Sequence, residues 1–139
     1  MMFVLDTNVV SELRRPDKAN PQVLAWAVAT PLAHFYLSAI TVLELELGVL
    51  LMERRDAAQG AVLRAWLVDA VLPRFEGRIF TVDTPVALRC AGLHVPDPRA
   101  ERDALIAATA LVHGMAVATR NVADFAPTGV RVFNPWSHA

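Results

Sequence analysis

Apolar positions fall into short continuous bursts separated by stretches of helical spacing. Met2-Phe-Val-Leu5 is an apolar run that meets Asp6-Thr7-Asn8, the pattern of a strand covered on both faces and ended by a turn. Residues 9–15 have room for one or two helical turns before Pro16. Pro21 suits the first turn of a helix, whose apolar stripe is Val23, Trp26 and Ala27 and whose end is Pro31. Residues 34–38 predict a second strand, and helical spacing follows over 41–54 and 57–71. Residues 78–82 predict a third strand, Pro85 stands where the next helix opens, and Pro96 and Pro98 make 95–99 a rigid break. Residues 103–113 form the clearest helix, closed by Gly114, the residue favoured just past a helix end. Residues 116–119 predict a fourth strand and 131–133 a brief fifth.

Short strands alternating with helices predict parallel pairing through helical crossovers, an α/β fold. In such sheets ligands sit beyond the carboxyl ends of the strands, so chemistry is sought just after each strand. Acids stand at those places.

Composition sharpens the picture. At 139 residues the chain is expected to be one domain, residues 1–139. It is 55% hydrophobic, more apolar surface than so small a domain easily hides, so a partner or self-association face is expected. Net charge is −1, which excludes nucleic-acid binding by a global basic surplus and leaves a local basic patch or metal ions. The single cysteine, Cys90, excludes an internal disulfide and fits a reducing cytoplasm. The first residues reach Asp6 too soon for a signal peptide. The apolar tract 104–119 is interrupted by Thr109, His113 and Gly114 and reads as helix then strand, with no membrane span.

Each acid has two readings. Asp6 is either the N-cap of a short helix or a ligand in the crevice at the sheet edge, with Thr7 and Asn8 beside it. Glu44 completes a capping box, Thr41-x-x-Glu44, in the first turn of its helix, or points to the crevice and shares a face with Gly48, where a missing side chain admits another backbone. Glu46 is about 200° around the axis from Glu44 and serves elsewhere, solvated or paired with an arginine. Asp103 extends the apolar stripe Ile106, Ala107, Ala110 and Leu111. An acid on a core-facing stripe is costly without a compensating charge, which makes it the most informative of the set. Asn121 and Asp124 form either a polar turn with Asp124 as a cap, or a fourth oxygen donor. Carboxylates converging on one edge repel one another and make sense around hard cations such as Mg²⁺ or Mn²⁺. Such a site supports phosphodiester hydrolysis. His34, His94, His113 and His138 share no ligand spacing and are given no metal role.

Leu5-Asp-Thr-Asn8, Ser38-Ala-Ile-Thr-Val-Leu-Glu44-Leu-Glu-Leu-Gly48, Asp103-Ala-Leu-Ile-Ala-Ala-Thr-Ala110, Ala118-Thr-Arg-Asn121 and Asn134-Pro-Trp136, in this order along nearly the whole chain, resemble the PIN-domain proteins of the VapC type, FitB-like branch. The resemblance implies a three-layer α/β/α domain with a central, mostly parallel sheet of about five short strands. It implies a Mg²⁺- or Mn²⁺-dependent endoribonuclease, the toxin of a toxin–antitoxin pair. Such a toxin is usually a homodimer, is inhibited by a VapB-like antitoxin, and reaches operator DNA only through that antitoxin. Asp6, Glu44 and Asp103 match the family's first three acids. Asn121 stands where some relatives carry aspartate, with Asp124 one turn on as the other candidate. Thr7 and Thr119 are the implied supporting hydroxyls, beside Asn8, and Arg120 is the candidate phosphate contact. The stretch 87–102 is shorter than usual.

Other phosphoryl-transfer folds fit poorly. A dehalogenase-like phosphatase wants aspartate where Asn8 stands, and a receiver domain wants a late lysine where the only one is Lys18. The remaining alternative is a PIN fold kept as an idle binding module that acts through an antitoxin–DNA complex.

Overall fold

A computed structural model describes residues 1–137, so His138 lies outside the described residues. Five parallel strands form one sheet: β1 Phe3–Leu5, β2 Phe35–Ser38, β3 Ile79–Phe80, β4 Ala116–Ala118 and β5 Val132–Phe133. Their order is β3-β2-β1-β4-β5. Phe3 pairs with Phe35 on one side and with Ala116 on the other, and Leu5 pairs with Ala118. β1 is therefore central, and β1, β2 and β4 all end at the same edge. The strands are shorter than the sequence predicts, by one to three residues: β1, β2 and β5 each start one residue later, β4 ends one residue earlier, and β3 is trimmed at both ends.

Among the described residues, eight α-helices connect the strands: α1 Thr7–Glu12, α2 Pro21–Ala29, α3 Ala39–Arg55, α4 Ala57–Trp66, α5 Leu72–Arg74, α6 Thr84–Leu93, α7 Glu101–His113 and α8 Val122–Phe125. Alternation along β1 divides the core. Phe3 and Leu5 face a layer containing Val9, Val10, Trp26, Leu45, Val49 and Leu67. Val4, between them, faces Ile106, Ala107 and Ala110 of α7 and Phe125 of α8. α6 covers α7 from outside, with Val86 and Cys90 against Ala104 and Ala108. This is the expected α/β/α arrangement.

Three local expectations change. α3 begins at Ala39, because Ser38 takes the cap role: its Oγ accepts from the Ile40 N–H at 3.0 Å. Thr41 is buried inside the helix and donates its hydroxyl to the Leu5 carbonyl at 3.4 Å. The helix expected over 57–71 leaves α geometry after Trp66 through a π-helical turn, Leu67–Val71, before α5 with its Pro73. The close backbone approach foreseen at Gly48 occurs at Gly60 instead. A Cβ at Gly48 would meet nothing within 4 Å, whereas one at Gly60 would lie 2.5 Å from the Glu53 Cα.

Asp56 joins α3 to α4 and caps the latter, accepting from the Ala58 and Gln59 N–H groups at 3.1 Å each. Arg64 of α4 binds both Glu46 and Glu53 of α3, and that hydrogen bond to Arg64 holds the Glu46 carboxyl below its ordinary range. Glu46 is thus paired with an arginine, on the side of α3 away from Glu44. The expected apolar surplus at the surface is present: Leu43, Leu50 and Leu51 of α3, Val62 of α4 and Leu88 of α6 are all exposed. No helix among the described residues is long and apolar enough to cross a membrane.

Candidate active site

The edge where β1, β2 and β4 end carries the candidate acids. Asp6 follows β1 directly and is 5% exposed. It caps α1, and it also faces the crevice. Its Oδ1 accepts from the Thr7 N–H at 2.8 Å, and its Oδ2 accepts from the Thr119 hydroxyl at 2.8 Å and the Asn8 amide at 3.2 Å. Burial pushes its carboxyl above the ordinary value. The bonds from Thr119 and Thr7 oppose that rise, and the charges of Glu44 and Asp124 add to it. Thr119 reaches Asp6 because β4 lies beside β1 in register. Asn8 ties the same corner together: it also donates to the Thr119 hydroxyl at 3.3 Å and accepts from the Arg120 N–H at 3.3 Å.

Glu44 lies in the second turn of α3, too far along for the capping box that the sequence suggested. Freed from that role, it accepts the Thr7 hydroxyl at 2.6 Å. On its other oxygen it meets Arg102 at 3.7 Å, across a half-exposed gap. Arg102, beside Asp103 at the start of α7, escaped the sequence reading because an arginine in a polar first turn has the ordinary look of a solvated residue.

Asp103 stands in the first turn of α7, and no hydrogen bond reaches its carboxylate among the described residues. Burial first, then Asp6, Asp124 and Glu44, push its pKa to about 6. The alanines that follow explain its depth. Ala107 and Ala110 are fully buried against Val4 and Val117, so α7 lies close to the sheet and its first turn is drawn to the strand ends.

Asn121 and Asp124 occupy α8, a helix the sequence did not predict. Asn121 is its N-cap residue, without a side-chain cap bond, and its N–H donates to the Thr119 hydroxyl at 2.9 Å. Asp124 lies inside α8, so it is not the cap. Its charge is felt at both Asp6 and Asp103. Arg120 holds its guanidinium 5.4 Å from the centre of the Trp136 ring.

This donor set fits a hard divalent cation. Its members are carboxylates, burial and then their mutual repulsion raise the pKa of Asp6 and Asp103, and Asp103 lacks a partner that would otherwise neutralise it. The only cation in contact with an acid of the set among the described residues is the Arg102 pair at 3.7 Å, a distance at which a half-exposed ion pair contributes little.

A second group, Cys90, His94 and Glu101, lies between α6 and α7, with three ligand-capable atoms within 4.8 Å of one another. Ligand spacing along the chain assigns His94 no such neighbours. Yet its Nδ1 accepts the Arg99 N–H at 3.0 Å, which leaves the ring proton on Nε2, 3.4 Å from Glu101. A nitrogen that carries a proton has no lone pair for a metal, so His94 serves as a clasp on the turn that leads into α7.

A three-layer domain with a parallel sheet and a carboxylate-lined crevice at its carboxyl edge belongs to the α/β proteins whose site chemistry suits hard cations. Comparison with known sequences narrows the class. The PIN domain model matches residues 3–126. The chain is 44% identical to "Toxin FitB" of Neisseria gonorrhoeae, over 97% of this chain and 99% of that one. It is 40% identical to "VapC ribonuclease Y4jK" of Sinorhizobium fredii, over 99% and 100%. The solved structure of FitAB bound to an IR36 DNA fragment superposes with a TM-score of 0.89 at 42% identity, covering 99% of this chain and 98% of that chain. The chain belongs to the PIN-domain family, among its VapC-type, FitB-like members.

Proposed function

We propose that this chain is the ribonuclease toxin of a toxin–antitoxin pair, a divalent-metal-dependent endoribonuclease that hydrolyses RNA phosphodiesters. The observation that carries the reading is the placement of acids at one sheet edge: buried Asp6 is joined to Glu44 through Thr7, and burial and the neighbouring acids push Asp103, in the first turn of α7, to about 6. Relatives of similar length named as a toxin and as a ribonuclease support it.

Asp6, Asp103, Glu44 and Asp124 would hold Mg²⁺ or Mn²⁺, the first two as the principal ligands. The ion supplies Lewis acidity toward the phosphoryl group and lowers the proton affinity of water. The chain's own contributions are positional. Thr119, Asn8 and the Thr7 N–H fix both Asp6 oxygens, so that carboxylate is oriented before any substrate arrives. The Thr7 hydroxyl fixes Glu44. Arg120 stands next to this corner, its N–H on Asn8, as the candidate contact for a substrate phosphate. Asp124 is the fourth acid in this reading, since its charge is felt at Asp6 and Asp103. No observation favours the alternative of an idle binding module. An antitoxin of the FitA/VapB kind is the proposed protein partner, with operator DNA reached through it; the similar FitAB structure is bound to an IR36 DNA fragment. A homodimer would cover part of the exposed leucine surface of α3.

The test is cleavage of total cellular RNA by purified wild-type and Asp103→Asn chains, with Mg²⁺ or Mn²⁺ and with EDTA. Cleavage by wild type alone, lost in EDTA and reduced at least about a thousandfold by the substitution, roughly 4 kcal/mol of barrier, is the expected result. A folded, metal-loaded wild type that cuts nothing, or an Asp103→Asn chain that cuts as well, overturns it.

A further inference from the structure

Beside Glu44 the crevice continues into a cleft of about 320 Å³ between α1, α3 and α4, lined among others by Thr7, Ser11, Arg14, Gly48 and Trp66. Three of its features have no use in the carboxylate chemistry. Arg14 is half-buried, yet its guanidinium has no partner among the described residues. Trp66 is half-buried at the cleft wall, and no other ring stacks on it among the described residues. Gly48 sits in the middle of α3, where glycine costs a helix about 1 kcal/mol relative to alanine. A side chain there would meet nothing within 4 Å, so neither packing nor backbone geometry calls for glycine at that position. What its missing side chain does leave is open space on the cleft floor.

We propose that this cleft seats one nucleotide of the RNA next to the scissile phosphate, with Arg14 on a backbone phosphate and the face of Trp66 against the base. The inference rests on the ribonuclease reading for the meaning of "scissile". The chemistry fits a single-stranded nucleotide. An unpaired guanidinium calls for an anion, and its planar fork matches phosphate oxygens. Trp66 packs against the core, and the part of its indole left exposed at the cleft wall can meet any base without regard to sequence. The volume lies at the lower end of sites that enclose a small ligand. The cleft shares Thr7 and Glu44 with the carboxylate site, so a strand whose phosphate lies among the acids needs only to continue in its own direction to enter it.

The test uses the full chain and a fluorescently labelled mixed-sequence RNA oligonucleotide. Binding is followed by anisotropy in Ca²⁺ at several salt concentrations, and cleavage in Mg²⁺, for wild type, Gly48→Leu and Arg14→Gln. Leucine at position 48 fills the cleft from an exposed helix position without straining the fold, and retained thermal stability confirms this. Gly48→Leu is expected to weaken binding and raise KM about tenfold with kcat little changed, the pattern of a lost uniform contact. Arg14→Gln is expected to reduce the slope of log K against log salt by about 1, as the loss of one phosphate contact requires. If wild type cleaves RNA and both variants bind and cleave it equally well, the cleft belongs to another occupant and the proposal falls, while the ribonuclease reading stands. If wild type binds RNA without cutting it and both variants bind worse, the subsite stands and the activity falls. If wild type neither binds nor cuts, both fall.

Discussion

The two faces of the sheet are packed by different means. On one, Phe3, Trp26, Phe35 and Phe133 form a cluster of rings with centroid separations of 5.0 to 6.2 Å. On the other, α7 presents Ala107 and Ala110, both fully buried against Val4 and Val117. Rings remove the most apolar surface per residue and dominate core energetics. Alanines remove little, but they let a helix axis approach the strands. The aromatic face therefore supplies stability, and the alanine face supplies position: it brings the first turn of α7, with Asp103, to the edge where Asp6 stands.

Substitutions on each face should separate the two roles. Trp26→Ala is expected to have the largest effect on stability, about 3–5 kcal/mol by chemical denaturation, while RNA cleavage per folded molecule stays near wild type. A loss of specific activity as large as the loss of stability would refute the division. Ala107→Leu is expected to cost less, about 1–3 kcal/mol, by overpacking. It lifts α7 from the sheet and displaces Asp103, so activity should fall by up to about a hundredfold, the scale of a 1 Å misplacement. Unchanged activity in a folded Ala107→Leu chain would show that α7 need not lie so close.

The smallest effect concerns charge. The Asp103 carboxyl rises from an ordinary 3.8 to about 6 on folding. Between those values the folded chain binds more protons than the unfolded one, so the contribution of Asp103 to stability is full below 3.8 and is lost as pH rises through about 6. Asp6 shifts in the same direction. In EDTA at neutral pH, Asp103→Asn should therefore be more stable than wild type by about 1–2 kcal/mol, after allowance for partial solvent screening. The gap should close at acid pH, and Mg²⁺ should narrow it at neutral pH by binding wild type preferentially. A gap that is absent at neutral pH, or that widens as pH falls, would contradict the assignment of strain to this acid.

Much of this arrangement was legible beforehand, and the misses have physical reasons. The alternation of apolar bursts with helical spacing placed five strands and their parallel pairing. The position of acids after strands pointed to Asp6, Glu44 and Asp103, which the structure gathers at one edge. The helix start before Glu44 was misplaced because Ser38 and Thr41 are both good caps, and only strand pairing decides which one ends β2. Gly48 and Gly60 look alike in sequence, yet which glycine sits under a neighbouring backbone depends on how α3 and α4 fold back on each other. α8 was missed because Val122–Phe125 is a single turn, too short for any periodicity. Neither the unpaired state of Arg14 nor the bond from Arg99 to His94 could be read from the chain alone, since both depend on how distant or turn-forming segments are placed.

The bond from Thr119 to Asp6 spans 113 residues, and that span has a consequence for timing. A nascent chain emerges amino end first, so Asp6 and Glu44 are outside the ribosome long before Asp103, Thr119 and Asp124. Asp6 and Glu44 can meet as soon as β1 and β2 pair, but until α7 and β4 have emerged and taken their places, Asp103, Thr119 and Asp124 cannot join them and the set of acids is incomplete. A chain of this kind is translated from the same class of molecule it is proposed to destroy. In the proposed reading, the order of its strands leaves the message uncut at least until β4 has been made.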